Sequence, residues 1–273
     1  MLTYLKGKIM AEYSGKMSET FCRTALNMAD KEKGKPTDVE RNRIHGLSTI
    51  RTRCLISNLC AKTNTNYLEV GVYKGSTVIS AMFDNLSTKV VGVDHFKYDE
   101  REANKWAPEG FIWDNMKSQL ESNLNMYKHA PDRLDLKNFT LIEDEFQNVD
   151  WTKQPKFDVV HFDVAPVSAE VYDDFFNFIV PSLAPESVVI FSQQSNSDYA
   201  ELLNKAILKH SDKVIERFKE YRISNSMSDA YKYFSGIAMV GFKKKAGVAP
   251  KAVTANVKIN SANVKATTST VKK

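Results

Sequence analysis

The sequence predicts an α/β fold, a mostly parallel seven-stranded sheet closed by a C-terminal antiparallel hairpin, on three observations. Between Asn66 and about Lys243, short runs rich in β-branched and aromatic residues alternate with helical segments, the pattern of crossover units. A glycine-spaced turn, Gly71 to Gly75, follows the first run and leads into a helix-like stretch. The last two runs are joined by "SNSMSDAYK", too short for a crossover helix, so they pair antiparallel.

Residues 1 to 62 read as a helical cover on that domain. "SETFCRTALNMA" is a helix, the breaker-rich "KEKGKP" ends it, and Thr37 with Glu40 has the spacing of a capping box that opens a second helix. Ile44, Leu47, Leu55 and Leu59 then supply an imperfect apolar stripe. Within the main domain, residues 63 to 243, the strands are "NYLEVGV", "KVVGVD", "NFTLIE", "FDVVHFD", "SVVIFS", "KVIERFKEYRI" and "YFSGIAMVGF". The helices between them are "STVISAMFDN", "WDNMKSQLESNLNMY", "AEVYDDFFNFIVPSL" and "SDYAELLNKAILKH".

Residues 244 to 273 differ in kind, with seven lysines and no acid, so the net charge of +5 leaves −2 on the 243 residues before them. Lys251, Lys258, Lys265 and Lys272 recur every seven residues, but one valine per repeat buries too little for a coiled coil. The composition predicts a disordered tail. Its lysines suit contact with a polyanion or tethering to a protein partner, although it lacks the aromatics that stack on bases.

No apolar run reaches the ~18 residues of a membrane span, and the first residues lack a signal-type apolar stretch, so a cytoplasmic protein without membrane contact is expected. Cys22, Cys54 and Cys60 form no Cys-x-x-Cys pair and read as buried thiols. Association between copies is left open.

Ligands of a parallel sheet bind at the carboxyl ends of its strands, where strand order reverses. That places the Gly71 to Gly75 turn in the ligand crevice, where glycine lets backbone approach a ligand closely. Asp94 ends the second strand, where an acid accepts ribose hydroxyls. A nicotinamide dinucleotide needs Gly-x-Gly-x-x-Gly, whereas this chain reads Glu69-x-Gly71-x-x-x-Gly75. A carboxylate at 69 repels a pyrophosphate and suits an ammonium or sulfonium group, which points to S-adenosylmethionine. Each residue also has a plain reading: the glycines as turn formers, Asp94 as a helix cap, and the acids 143 to 145 as a solvated turn.

"YLEVGVYKGST" with "VVGVDHF" resembles motif I and the following acidic strand of the class I S-adenosylmethionine-dependent methyltransferases. Within them it is most similar to the branch with macrocin O-methyltransferase-like and cephalosporin-hydroxylase-like members. The resemblance spans roughly Asn66 to Phe242 and implies a Rossmann-like fold. It implies that Glu69, Gly71, Gly75 and Ser76 line the methionine end, that Asp94 holds the ribose, and that His95 or Phe96 borders the adenosine. Glu143, Asp144 and Glu145 fall where the family places adenine contacts, without the family's frequent Gly-Asp pair.

Asp163, ending the fourth strand, falls near the transferred methyl in the family, and Asp163 and His95 are the candidates for a catalytic base. His161 reads as a packed structural histidine. The related metal-dependent branch carries further acids, where this chain has Val164-Ala165-Pro166 and Ser192-Gln193-Gln194, so no catalytic metal is expected. The stretch from His95 to Met116 reads as an acceptor lid or as an ordinary helical excursion that packs Trp106, Phe111 and Trp113. The leading expectation is metal-independent methyl transfer to a small-molecule or sugar-like hydroxyl or amine. The alternative is a methyltransferase-fold protein whose chemistry has lapsed and which serves as a binding or structural component.

Overall fold

The computed structural model describes residues 15–35, 43–44, 46–97, 115–165, 168–223, 233 and 235–250. Its sheet comprises β1 (Asn66–Val70), β2 (Lys89–Val93), β3 (Phe139–Ile142), β4 (Phe157–Phe162), β5 (Leu183–Ser192), β6 (Val214–Arg222) and β7 (Ile237–Lys244). Their spatial order is β3-β2-β1-β4-β5-β7-β6. β1 to β5 are parallel, and β7 runs antiparallel to both β5 and β6. The seven strands and the closing hairpin are those that the sequence predicts. β7, last in the chain, is interior to the sheet, which suits its apolar "IAMVGF" run, and the more polar β6 takes the edge.

Among the described residues the α-helices are α1 (Glu19–Asp30), α2 (Ile50–Leu59), α3 (Ser76–Met82), α4 (Met116–Asn125), α5 (Ala169–Asp174) and α6 (Ser197–Lys209). Successive strand residues point to opposite faces, so the sheet makes two cores. One joins Tyr67, Val159, Val188, Ile190 and Met239 to Phe21 and Leu26 of α1, Leu55 of α2 and Ile79 of α3. The other joins Leu68, Val160, Val189, Phe191 and Val240 to Tyr172, Phe175 and Phe176 at α5 and Leu203 of α6. α5 passes into a π-helical segment, Phe175–Ile179, before Pro181, which has no N–H to extend a helix.

α1 begins at Ser18, whose hydroxyl accepts the Phe21 N–H at 3.2 Å. Its other end is tied to the sheet edge, because Asp30 pairs with Arg222 of β6 at 2.9 Å and accepts the Tyr233 hydroxyl at 3.0 Å. The second helix starts later than the apolar stripe suggests. Thr49 accepts the Thr52 N–H at 3.3 Å and fixes the start of α2 at Ile50, so Ile44 and Leu47 precede the helix. Arg53 holds that preceding segment, with Nη1 donating to the Ile44 carbonyl at 3.0 Å and Nε to Ser48 Oγ at 2.9 Å. The Thr37 and Glu40 capping pair, Trp106, Phe111, Trp113 and the lysine repeat lie outside the described residues.

Cys22, Cys54 and Cys60 are buried free thiols, and burial pushes the Cys22 thiol up to about 12. No helix among the described residues is long and apolar enough to cross a membrane.

Candidate active site

The chain runs outward from β1 through β2 to β3 and then crosses back to β4, so the sheet's switch point lies between β1 and β4. A cavity of about 310 Å³ opens there, at the carboxyl ends of β1, β2, β4 and β5. The loops after β1, β2, β3, β4 and β5 and one N-terminal segment build it.

The first loop leaves β1 at Gly71, whose φ of +89° is one that L side chains rarely adopt. A Cβ at Gly71 would stand 2.5 Å from the Asp163 carbonyl oxygen, so only glycine lets the two loops close on each other. Gly75 also has positive φ, yet it does not line the cavity. Its missing Cβ makes room for Leu120 of α4, which would be 2.2 Å away. Ser76 does line the cavity, and its Oγ lies 2.6 Å from that of Ser48.

Asp94, just past β2, stands at the cavity wall and is 4% exposed. Its carboxylate is fixed from both sides, accepting the Tyr73 N–H and the Phe96 N–H, each at 2.7 Å. His95 lines the same wall, with Nε2 3.9 Å from Glu145 Oε1. Asp144 and Glu145 follow β3 into the cavity, and Asp144 Oδ1 accepts from the Glu145 N–H at 2.8 Å and Asn148 Nδ2 at 2.9 Å. Glu143 turns away and pairs with Lys117 on the surface. Of the two alternatives for the adenosine rim, His95 lines the cavity, whereas Phe96 packs against the core.

Glu69 departs furthest from expectation. It is 0% exposed, does not line the cavity, and its oxygens are engaged within the protein. Oε2 accepts the Tyr67 hydroxyl; Oε1 accepts the Thr77 hydroxyl and faces His161 Nδ1 at 3.1 Å. The cost of burying this acid is therefore met by neighbouring side chains and not by a ligand's ammonium. His161 Nε2 in turn lies 2.9 Å from Ser192 Oγ. His161 and Ser192 both line the cavity, so the histidine read as structural belongs to its wall. Burial disfavours the imidazolium, but the Glu69 carboxylate and Asp163 favour it by more, and the His161 pKa is raised.

Asp163 reaches the cavity as expected, its N–H donating to the Val70 carbonyl at 2.9 Å. The residues missed from sequence include Leu47, Ser48, Thr52, Tyr73, Thr77 and Ser192. No spacing signals the first three, which arrive from before and within α2. Thr77 and Ser192 had a usable signal: each is a hydroxyl residue beside an element end that the fold already places at the crevice. Among the described residues no group of three or more His, Cys, Asp or Glu is arranged to hold a metal ion.

One sequence match covers most of the strands around this cavity. Residues 68–192 match the family model of a methyltransferase domain. The matched region starts within β1 and stops at Ser192, so it takes in the carboxyl ends of β1 to β5 around the switch-point cavity, whereas Ile237 of β7, which also lines the cavity, lies outside it. No curated protein matches the sequence. Among solved structures the chain is similar to TrmN from Thermus thermophilus, at 11% identity and a TM-score of 0.49, over 77% of this chain and 53% of that one. The chain thus spans about half the length of TrmN. It is also similar to precorrin-6y C5,15-methyltransferase from Geobacter metallireducens GS-15, at 14% identity and a TM-score of 0.43, over 71% of this chain and 87% of that one.

Proposed function

We propose that the chain is an S-adenosylmethionine-dependent methyltransferase that acts on a small molecule. The observation that carries this reading is the charge of the cavity wall. Asp94, Asp144, Glu145 and Asp163 line it, and no lysine or arginine does so among the described residues. Such a wall favours a ligand with a sulfonium and an ammonium, and opposes a pyrophosphate or a nucleic-acid backbone. The matched methyltransferase domain supports the same cofactor.

The residues present fit that cofactor. Asp94, fixed by two backbone N–H groups, would take the ribose hydroxyls, and His95 with Asp144 and Glu145 would border the adenosine. Gly71 leaves the backbone bare where the β1 and β4 loops meet, which suits the methionine end. When bound, the cofactor supplies an electrophilic methyl group. The protein's part is to orient the acceptor, exclude water and take up its proton. Leu47, Ser48 and Thr52 wall the side nearest α2, so the N-terminal segment would share in acceptor selection.

Calorimetric titration with S-adenosylmethionine, S-adenosylhomocysteine and NAD tests the reading. Saturable binding of both sulfur ligands and not of NAD is expected. Folded protein that binds neither sulfur ligand overturns it and leaves the lapsed, scaffold-type reading. Binding without turnover across hydroxyl and amine acceptors would also favour that alternative.

A further inference from the structure

We propose that Ser192, His161 and Glu69 form a hydroxyl–imidazole–carboxylate proton relay that opens into the cavity at Ser192 and takes the proton of a weakly acidic hydroxyl on the methyl acceptor. The inference rests on the methyl-transfer reading above and assigns both a base and an acceptor class to it.

The chemistry of the three groups fixes the direction of the relay. A carboxylate only accepts hydrogen bonds, so Glu69 Oε1, 3.1 Å from His161 Nδ1, requires the ring proton on Nδ1. The neutral ring then has an acceptor at Nε2, 2.9 Å from Ser192 Oγ, and Ser192 donates to it. The Ser192 oxygen keeps the capacity to accept a proton from elsewhere. Exposure grades along the array, from 0% at Glu69 and 1% at His161 to 8% at Ser192, so the hydroxyl is the end that meets the cavity. Both ring nitrogens are engaged, which leaves Ser192 as the route by which an acceptor proton reaches the imidazole.

The surroundings hold the array rigid. Tyr67 and Thr77 donate to Glu69 from β1 and α3, so the carboxylate has one orientation toward the ring. The titratable groups facing the pair are Glu69 and Tyr67 from β1, Cys60 from the end of α2, and Asp163 from the end of β4.

The step balances as follows. The acceptor O–H bond breaks and its proton passes to Ser192 Oγ, while the Ser192 proton passes to His161 Nε2 and leaves an imidazolium beside Glu69. The acceptor oxygen forms the new C–O bond as the C–S bond of the sulfonium donor breaks, its electron pair staying on sulfur. The imidazolium later returns its proton to solvent by the same path. Ser192 and His161 are catalytic residues in this scheme, and Glu69 is a positioning residue.

Two measurements test it. The first follows the His161 imidazole nitrogens of the full chain by ¹⁵N NMR across pH, without cofactor. The neutral ring is expected to carry its proton on Nδ1, with a midpoint above that of a free histidine and lowered in Glu69→Gln. A neutral ring protonated on Nε2 overturns the relay, and this readout on the natural chain decides the matter if Glu69→Gln does not fold. The second compares methylation of phenol and of 4-nitrophenol, which ionises near neutral pH unaided. Ser192→Ala is expected to slow phenol methylation ~100-fold, the scale of general-base catalysis. The same variant should slow 4-nitrophenol methylation far less than that of phenol. Equal slowing of both phenols, or of neither, overturns the relay while leaving methyl transfer standing. Cofactor binding without methylation of either phenol overturns the acceptor class, and absence of cofactor binding overturns the underlying reading itself.

Discussion

The two walls of the cavity are built on different principles. At the ends of β1 and β2 the wall is backbone and fixed charge: bare Gly71, and Asp94 clamped by the Tyr73 and Phe96 N–H groups. At the ends of β4 and β5 it is a chain of hydrogen-bonded side chains, His161 and Ser192, backed by Glu69 from within. The first arrangement suits holding a ligand without exchanging a proton with it. The second suits passing a proton. Glu69 and Asp94 make the point most directly, since one acid lies in β1 and the other just past the neighbouring β2, yet one is spent inside the protein and the other stands at the cavity.

The largest effect is expected where the two walls share a foundation. Glu69→Leu strands the Tyr67 and Thr77 hydroxyls and the His161 ring in a fully buried site and should destabilise by about 3–5 kcal/mol in denaturant unfolding. A loss under about 1 kcal/mol would mean the network contributes little. Gly71→Val comes next. The new side chain meets the Asp163 carbonyl at a φ of +89°, so stability should fall by about 1–3 kcal/mol and cofactor binding should be lost. Retained binding would separate the β1 turn from the ligand site. Asp94→Ala should weaken S-adenosylmethionine binding by roughly 1–3 kcal/mol. Unchanged affinity would remove Asp94 from the cofactor wall and sharpen the contrast with Glu69.

The fold was legible because its signals are local. Each strand announces itself as a short β-rich run, and "IAMVGF" is apolar enough to belong inside the sheet, although its place between β5 and β6 needed the structure. The turn at Gly71, the acids Asp94, Asp144 and Asp163, and Ser76 were likewise readable as cavity residues. The relay was not. Glu69 meets His161 only because β1 and β4 pair in a register that sets those two residues side by side, and no local pattern fixes the register of parallel strands. The second Glu69 partner, Tyr67, is its neighbour on the same strand face, and the third, Thr77, comes from the first turn of α3. The contribution of Leu47, Ser48 and Thr52 was hidden for a related reason. It depends on Arg53 folding the preceding segment back onto the cavity, a tertiary event without periodicity.

The smallest effect concerns pH and separates the walls without altering either. The folded His161 pKa is raised above the ~6.5 of an unfolded histidine, with burial opposing and the Glu69 carboxylate and Asp163 outweighing it. A raised pKa means the folded state binds the proton more tightly. This contribution to stability is therefore fully present below about pH 6.5 and is lost as pH rises through the folded His161 value. Unfolding free energies should fall over that window in the natural chain and stay flatter in His161→Gln, at about 1.4 kcal/mol per unit of pKa difference. Measurements held below about pH 8 keep the buried Cys22 thiol out of the comparison, since burial holds it near 12 in the folded chain while an unfolded thiol ionises from about 8.5. Asp94→Ala should leave the slope over the window as it is, because its carboxylate is held by backbone N–H groups and plays no part in the imidazole's proton. A slope that disappears in Asp94→Ala and persists in His161→Gln would reverse the assignment of the two walls.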